Sequence, residues 1–508
     1  MKETLSQALP EKFVRGIKEA MIEEWGTSLI SRLQTSRRTE YALLTVIIFL
    51  AAILRLFRLG HWSFWWDEMF TLRDVEILLQ EIPKVSTILT YLALQYFGLS
   101  EWSARLAPAL IGIVTIAVLH VLVRRTFDPV VALIASLLLA ISPWHLYWSQ
   151  NARFYSTLLL FYSIALFTFY LAHVNRRLSY FAVSLLFILL AGKERLTALF
   201  VVPVILGYVV LFYLLPLLPY QRIRVRARYL IPAMAILSLV ALYLLTRYWS
   251  SVPFLSKVNH GWVNSNPFWI LSGTVYYMGL PVFCMGLVGL AFLLLKDRRA
   301  GLYFGLAALL PVVSVALLSL LMYTANRYVF VALTAWIVLA ALAAKELLTN
   351  SRDGSRLLAF GMLLVLILTP LSDDFLYYFY QNGNRDNWRA ALEKIRNDKK
   401  ADDLVITPNP SLAGYYLNEP TIAMGATNLA EVRSAGRRIW FVEDFTTQEK
   451  WPEIHAWMRG NANLVAVFDV AVQARNFTMR VYLHEAPEKA ASPVRHQVQR
   501  TGDGLYQP

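Results

Sequence analysis

Charge is scarce in this sequence. Only 16% of its 508 residues are Asp, Glu, Lys or Arg, while 57% are hydrophobic. A soluble chain carries about 25% charged residues. The uncharged stretches are long, and many reach the roughly 18–20 apolar residues needed to cross a bilayer. With a mean hydropathy of +0.48, this excludes an ordinary soluble enzyme and defines a polytopic membrane protein. Cysteine is scarcer still: Cys284 stands alone, which excludes an internal disulfide and a cysteine-based metal cluster. No Walker motif, dinucleotide fingerprint or nucleophile elbow is found. His145 has no second histidine at a metal-ligand spacing, so no metal residue is assigned, although use of a divalent ion stays open. No cleavable signal peptide, internal repeat or low-complexity tract is visible.

Apolar runs fall at 41–57, 103–123, 130–148, 154–173, 178–192, 196–217, 229–246, 268–295, 301–323, 328–347 and 357–371, about eleven candidate spans. The first would act as an uncleaved signal anchor, preceded by a cytoplasmic amphipathic segment over 1–40. Basic residues recur in every second connector: Arg124 and Arg125; Arg176 and Arg177; Arg222 to Arg228; Lys296, Arg298 and Arg299; Arg352 and Arg356. Because Lys and Arg concentrate in cytoplasmic loops, these connectors mark the cytoplasmic face. Much of the net charge of +14 is therefore topology, not nucleic-acid affinity.

The opposite, extracytoplasmic face then receives the loop 58–102, the turn "SPWHLYWSQNARFY", the corner "GKER", the segment 247–267 and "TANRY". It also receives the chain from about 375 onward. That last region, 375–508, is polar: "NWRAALEKIRN" reads as a helix, and "DLVITP", "RIWFVED", "LVAVFDV" and "FTMRVYLHE" read as strands. The expected organisation is a transmembrane domain over 41–374 followed by an extracytoplasmic α/β domain, in an inner (plasma) membrane.

Three groups of residues on that face can carry chemistry. Asp67 and Glu68 follow the aromatic run "HWSFWW". A carboxylate there can take a proton from an attacking hydroxyl; equally, an acidic pair is favoured at a helix start without any ligand. The aromatics suit a headgroup belt, and Trp66 could stack on a sugar. Arg153 lies in a turn rich in hydrogen-bonding groups, including His145, Tyr147, Gln150, Asn151 and Tyr155. Lys193 and Arg195 sit at a second turn, and Arg327 with Tyr328 begins a late span. Arginine suits phosphate through paired hydrogen bonds, whereas long cations at helix ends also snorkel to the interface. Asn476–Phe477–Thr478 matches a glycosylation sequon, as chance allows.

These residues resemble the GT-C class of membrane glycosyltransferases, in the branch of protein O-mannosyltransferases and lipid A aminoarabinose transferases (glycosyltransferase family 39). "RLFRLGHWSFWWDEMFTL" is similar to the class's first outer loop with its acidic pair. "ARLAPALIGIVTIAVLHVLVRRTF" and "LLLAISPWHLYWSQNARFYSTLLL" resemble the second to fourth spans. "NRYVFVALTAWIVLAA" resembles the late Arg-Tyr element, and "NRDNWRAALEKIRNDKKADDLVITPNPSLAGYYL" the opening of the outer domain. Two segments depart from the pattern: "EIPKVSTILTYLAL" stands where many relatives have a His-Pro-Pro-like segment, and "GKERLTALF" where many have a His-Tyr pair. The resemblance implies transfer of a sugar, with inversion, from a polyprenyl-phosphate donor to a glycan, lipid or protein acceptor. Asp67 would be the general base and Glu68 an orienting acid. Arg153, Arg327 and Tyr328, with Lys193 and Arg195 secondary, would hold the lipid phosphate, and Trp66, His145, Gln150 and Tyr155 would touch substrate. A transporter or flippase of a lipid-linked sugar is the alternative, and a non-catalytic scaffold a third; a transporter would more commonly show inverted repeats.

Overall fold

The computed structural model describes residues 36–78, 83–214, 267–350, 353–428, 431, 436–470 and 477–485. Most of the 1–40 segment, the run 229–246, the Arg222 to Arg228 cluster, most of the segment 247–267 and Asn476 of the sequon lie outside the described residues. Among the described residues, six helices are long and apolar enough to cross a membrane: Arg37–Leu56, Glu101–Thr126, Tyr155–Asn175, Arg298–Leu318, Asn326–Thr349 and Ala359–Phe379. Two bent pairs raise the number to as many as eight, Pro129–Ala140 with Pro143–Ser149 at 61° and Pro267–Met278 with Leu280–Lys296 at 99°. The run 178–192 is the helix Leu178–Glu194, and 196–217 is a set of short helical pieces beginning at Leu196. Every apolar run inside the described residues is therefore helical. The protein is an integral membrane protein.

Local chemistry explains the breaks. Asp128 caps Pro129–Ala140 by accepting from the N–H groups of Val130 at 2.9 Å and Val131 at 3.1 Å, and Pro129 sits where its missing N–H is harmless. The 99° bend pivots on Gly279, whose φ of 87° is open to glycine and strained for other residues.

The chain divides into two compact units. One comprises the residues up to Leu54 with Ile111–His145 and Tyr155–Leu371. Within it Leu280–Lys296 packs closely on Leu333–Asn350: a Cβ on Gly289 would lie 1.8 Å from the Leu339 carbonyl oxygen, so only glycine fits.

The other unit comprises Arg55–Leu110, Leu146–Phe154 and the chain from Ser372. It holds a five-stranded sheet of order β2-β1-β3-β5-β4, with β1 Leu404–Thr407, β2 Ile422–Ala423, β3 Ile439–Glu443, β4 Asn463–Phe468 and β5 Met479–His484. β1 pairs in parallel with β2 and β3, while β5 is antiparallel to both β3 and β4. β1, β3, β4 and β5 lie on the four stretches read as strands, and the expected helix is Trp388–Asp398. Side chains alternate across β3. Ile439 and Phe441 pack with Ile406, Trp457 and Met458 on one face. Trp440 and Val442 pack with Trp388, Leu392 and Ile395 on the other. This second core also takes in Phe64, Leu72, Ala104 and Ala152. The sheet region is thus one body with the first loop and the "SQNARF" turn, because their apolar residues share a single core.

Candidate active site

The site starts with the helix Trp66–Glu76. Its first turn carries Asp67 and Glu68, where negative charge offsets unpaired backbone N–H groups. The two acids have separate fates. Asp67 is half-buried; Glu68 is wholly buried.

Glu68 accepts five hydrogen bonds. Oε1 takes Arg105 Nε at 2.8 Å and the Ala152 N–H at 2.8 Å. Oε2 takes Arg105 Nη2 at 2.7 Å, the Trp65 N–H at 3.2 Å and Arg385 Nη1 at 3.4 Å. Burial alone would push the carboxyl up; the Arg105 charge, its paired hydrogen bonds, the Arg385 charge and the Ala152 N–H outweigh burial and hold it below the ordinary glutamate range. Arg105 spends its remaining donors on the carbonyls of Leu59, Trp62 and Ser63 at 3.2, 2.9 and 2.8 Å. Arg385 also donates to the carbonyls of Gly383 and Gln150. One carboxylate thus fastens the first loop, the turn around Ala152 and the entry to the sheet.

A second lock lies alongside. Glu101 accepts from Tyr416 Oη at 2.6 Å and from Arg389 Nη2 at 2.5 Å. The Phe64 N–H donates to the same Tyr416 oxygen at 2.7 Å.

Arg153, brought to the site by the Ala152 bond, donates from Nη1 to the Asp67 carbonyl at 2.8 Å and to Thr71 Oγ1 at 3.1 Å. Its guanidinium also faces the Phe154 ring, 5.0 Å from the centroid. Its Nε is buried without a hydrogen-bond partner among the described residues. No carboxylate among them lies within ion-pair range of it. Lys84 pairs with Asp74 at 3.1 Å and lies 5.7 Å from the Phe154 centroid. On the other side, the Lys450 ammonium stands 4.7 Å from the Trp66 ring centroid and 5.9 Å from that of Trp451, a cation–π arrangement.

The aromatic run is less of a belt than its composition suggested. Trp62 and Phe64 are buried, and Trp65 and Trp66 are half-buried. Trp62 packs on Tyr377 and Tyr378 with centroids at 5.0 and 5.8 Å. A Cβ on Gly383, at φ 64°, would come within 2.6 Å of its ring. Gln150, read as a substrate contact, is also buried; its amide donates to the carbonyls of Arg55 and Phe57 and accepts from Tyr377 Oη.

The remaining sequence candidates lie in the first unit. Arg195 and Arg327 both flank the Tyr328 ring, at 5.5 and 5.8 Å from its centroid, and Lys193 is exposed nearby in sequence. His145 and Tyr155 are buried: His145 Nδ1 lies 3.3 Å from the Leu139 carbonyl oxygen, and Tyr155 packs edge-on to Phe330. Among the described residues no three His, Cys, Asp or Glu side chains gather as a metal ion would need. Arg105 and Arg385 are not among the residues the sequence marks out, although a charge just inside an apolar span, as in "SARLAPAL", calls for a partner.

Residues 83–245 match the family model described as Dolichyl-phosphate-mannose-protein mannosyltransferase. No curated protein sequence matches the chain. Among solved structures, the chain is similar to ArnT from Cupriavidus metallidurans bound to undecaprenyl phosphate, with TM-score 0.54 and 16% identity over 87% of this chain and 97% of that one. It is also similar to the apo oligosaccharyltransferase of Archaeoglobus fulgidus, with TM-score 0.56 and 14% identity over 81% of this chain and 70% of that one. The same archaeal enzyme, AglB, in complex with an inhibitory peptide and a dolichol-phosphate gives TM-score 0.52 and 14% identity over 83% and 71%. The fold is that of the GT-C class of membrane glycosyltransferases.

Proposed function

We propose that this protein is a membrane glycosyltransferase that moves a sugar from a polyprenyl-phosphate carrier to an acceptor hydroxyl on the extracytoplasmic face, with inversion. The observation that carries this is the fixed adjacency of Asp67 and Arg153: the guanidinium is hydrogen-bonded to the main chain of the acid itself at 2.8 Å. One position offers a proton acceptor, and its neighbour offers unspent donors for a phosphate.

In the reaction the acceptor oxygen bonds to the anomeric carbon, and that carbon's bond to the phosphate oxygen breaks. Asp67 takes the hydroxyl proton. The electron pair leaves on the lipid phosphate, where Arg153 meets the growing charge. The family resemblance also assigns Arg327, Tyr328, Arg195 and Lys193 to the lipid phosphate; within the first unit Arg327 and Arg195 both flank the Tyr328 ring. Glu68 acts as a positioning residue, since its two oxygens are occupied by protein donors. In-line displacement places the acceptor opposite the phosphate; Trp66, next to Asp67 and with the Lys450 ammonium 4.7 Å from its ring centroid, is the candidate contact for the acceptor. The donor class is supported by the undecaprenyl phosphate in the ArnT structure and the dolichol-phosphate in the AglB structure. The N-terminus is assigned to the cytoplasm.

Reconstituted Asp67→Asn protein tests the assignment. It should fold and bind carrier lipid while failing to transfer; undiminished transfer would remove Asp67 as the base.

A further inference from the structure

The parallel part of the sheet runs in the order β2-β1-β3. The chain leaves β1 to form β2 on one side, then crosses to form β3 on the other. Its direction across the sheet therefore reverses between β1 and β3. In open sheets with parallel strands, ligands settle outside the carboxyl ends of the strands at such a reversal. In this sheet those ends are Thr407, Ala423 and Glu443.

The turn that follows β3 is fixed from within. Asp444 is buried, and its Oδ1 accepts from the Thr446 N–H at 2.9 Å and from the hydroxyls of Thr446 and Thr447 at 2.8 and 3.0 Å. The Thr446 and Thr447 carbonyls in turn accept from the N–H groups of Lys450 at 2.9 Å and Trp451 at 3.0 Å. Two side chains are thereby set at the carboxyl end of the sheet, Lys450 exposed and Trp451 half-buried. Trp451 reaches the turn after β2, where a Cβ on Gly425 would lie 3.3 Å from its indole nitrogen. The Lys450 ammonium stands 5.9 Å from the Trp451 centroid and 4.7 Å from that of Trp66. Trp65 spends its indole N–H on Asn151 Oδ1. Trp66, directly before Asp67, is half-buried and faces this ammonium instead.

Two indoles and one exposed cation thus meet beside the proposed base, although they come from opposite ends of the chain. Small-molecule sites pair aromatic walls with a few placed polar groups. An indole offers a broad apolar face for the C–H side of a sugar ring, and an ammonium pairs with a carboxylate or phosphate through charge-assisted hydrogen bonds. A peptide is commonly held through its main chain on a free strand edge, whereas this cluster offers side chains.

We propose that Trp66, Trp451 and Lys450 form an acceptor subsite for an acidic saccharide, in which a sugar ring stacks on indole and its carboxylate or phosphate meets the Lys450 ammonium. This subsite presupposes the transfer reaction proposed above and gives its acceptor a chemical class.

Saturation-transfer NMR and titration calorimetry on the purified full chain test it. The probes are disaccharides of gluco, galacto and manno configuration, each in neutral, uronic-acid and phosphorylated form. At least one acidic form should bind about 10- to 100-fold tighter than its neutral counterpart, with saturation reaching its ring C–H protons. The uronic-acid and phosphorylated forms tell which anion is read. Trp451→Ala should abolish that saturation transfer, and Trp451→Phe, which keeps an aromatic face, should retain most of it. Lys450→Gln should bring the acidic form down to the affinity of the neutral one. Native affinity for undecaprenyl phosphate in each variant would show that the fold is kept. Acidic forms that bind no better than neutral ones would overturn the proposal, as would a preference that survives Lys450→Gln. So would a serine- and threonine-rich peptide that binds, and is lost in Trp451→Ala, where no disaccharide binds. Binding is read here without turnover, so failure would leave the transfer reaction, tested by Asp67→Asn, standing.

Discussion

Glu68 and Arg105 face each other through two parallel hydrogen bonds, 2.8 and 2.7 Å long, with both side chains fully buried. A buried pair of this kind is costly to break on one side only. Glu68→Gln or Arg105→Met should each lower stability by about 3–5 kcal/mol. The double variant should cost less than the sum of the two. Thermal unfolding in detergent measures the difference.

Acidity should reach this pair late. The folded carboxyl lies below its ordinary value of 4.5. Its stabilisation is therefore fully present above that value and is lost progressively as pH falls from there through the depressed one. The melting-temperature gap between the native chain and Glu68→Gln should be flat from neutral pH down to that ordinary value and close only below it. A gap that closes near pH 6 would mean that Glu68 is not held by its arginines.

Arg153 should tell phosphate binding from mere charge. Removing its charge-assisted hydrogen bonds in Arg153→Ala should weaken binding of undecaprenyl phosphate by about 10- to 100-fold. Arg153→Lys should restore only part of it, because an ammonium cannot reproduce the planar fork. Titration of the purified protein with that lipid measures both.

Lys450 should act on the acceptor and not on the donor. Lys450→Ala should raise the acceptor KM with little change in kcat, and leave the affinity for undecaprenyl phosphate as it was. An unchanged acceptor KM would leave the contact with Trp66 as a purely structural one.

Much of this was legible in the sequence, for physical reasons. The apolar runs within the described residues are helices because length and apolarity suffice to specify a crossing helix. The strands at Leu404–Thr407 and Ile439–Glu443 were legible because short β-branched and aromatic runs between polar turns specify strands. Asp67 and Arg153 stood out as polar residues beside apolar runs. Their adjacency was not legible, since it depends on Glu68 gathering Arg105 from 37 residues away and Arg385 from 317. Nothing local in "NRDNW" marks Arg385 as that partner. The expected aromatic belt failed for the same reason: Trp62 is filled in by Tyr377, Tyr378 and Gly383, which composition cannot foretell.

The assignment of Asp67 as the base rests on transfer itself, so transfer is the quantity to measure. The native chain and Asp67→Asn, each purified with its bound lipids and reconstituted in vesicles, would be incubated with candidate acceptors and followed by lipid mass spectrometry. The native chain should consume a polyprenyl-phosphate sugar and release polyprenyl phosphate as the acceptor gains the sugar. Asp67→Asn should retain the loaded carrier, with turnover lower by about 10²–10⁴-fold. Equal consumption by both proteins would contradict Asp67 as the base, and movement of an intact lipid-linked sugar across the bilayer without transfer would contradict the enzyme itself.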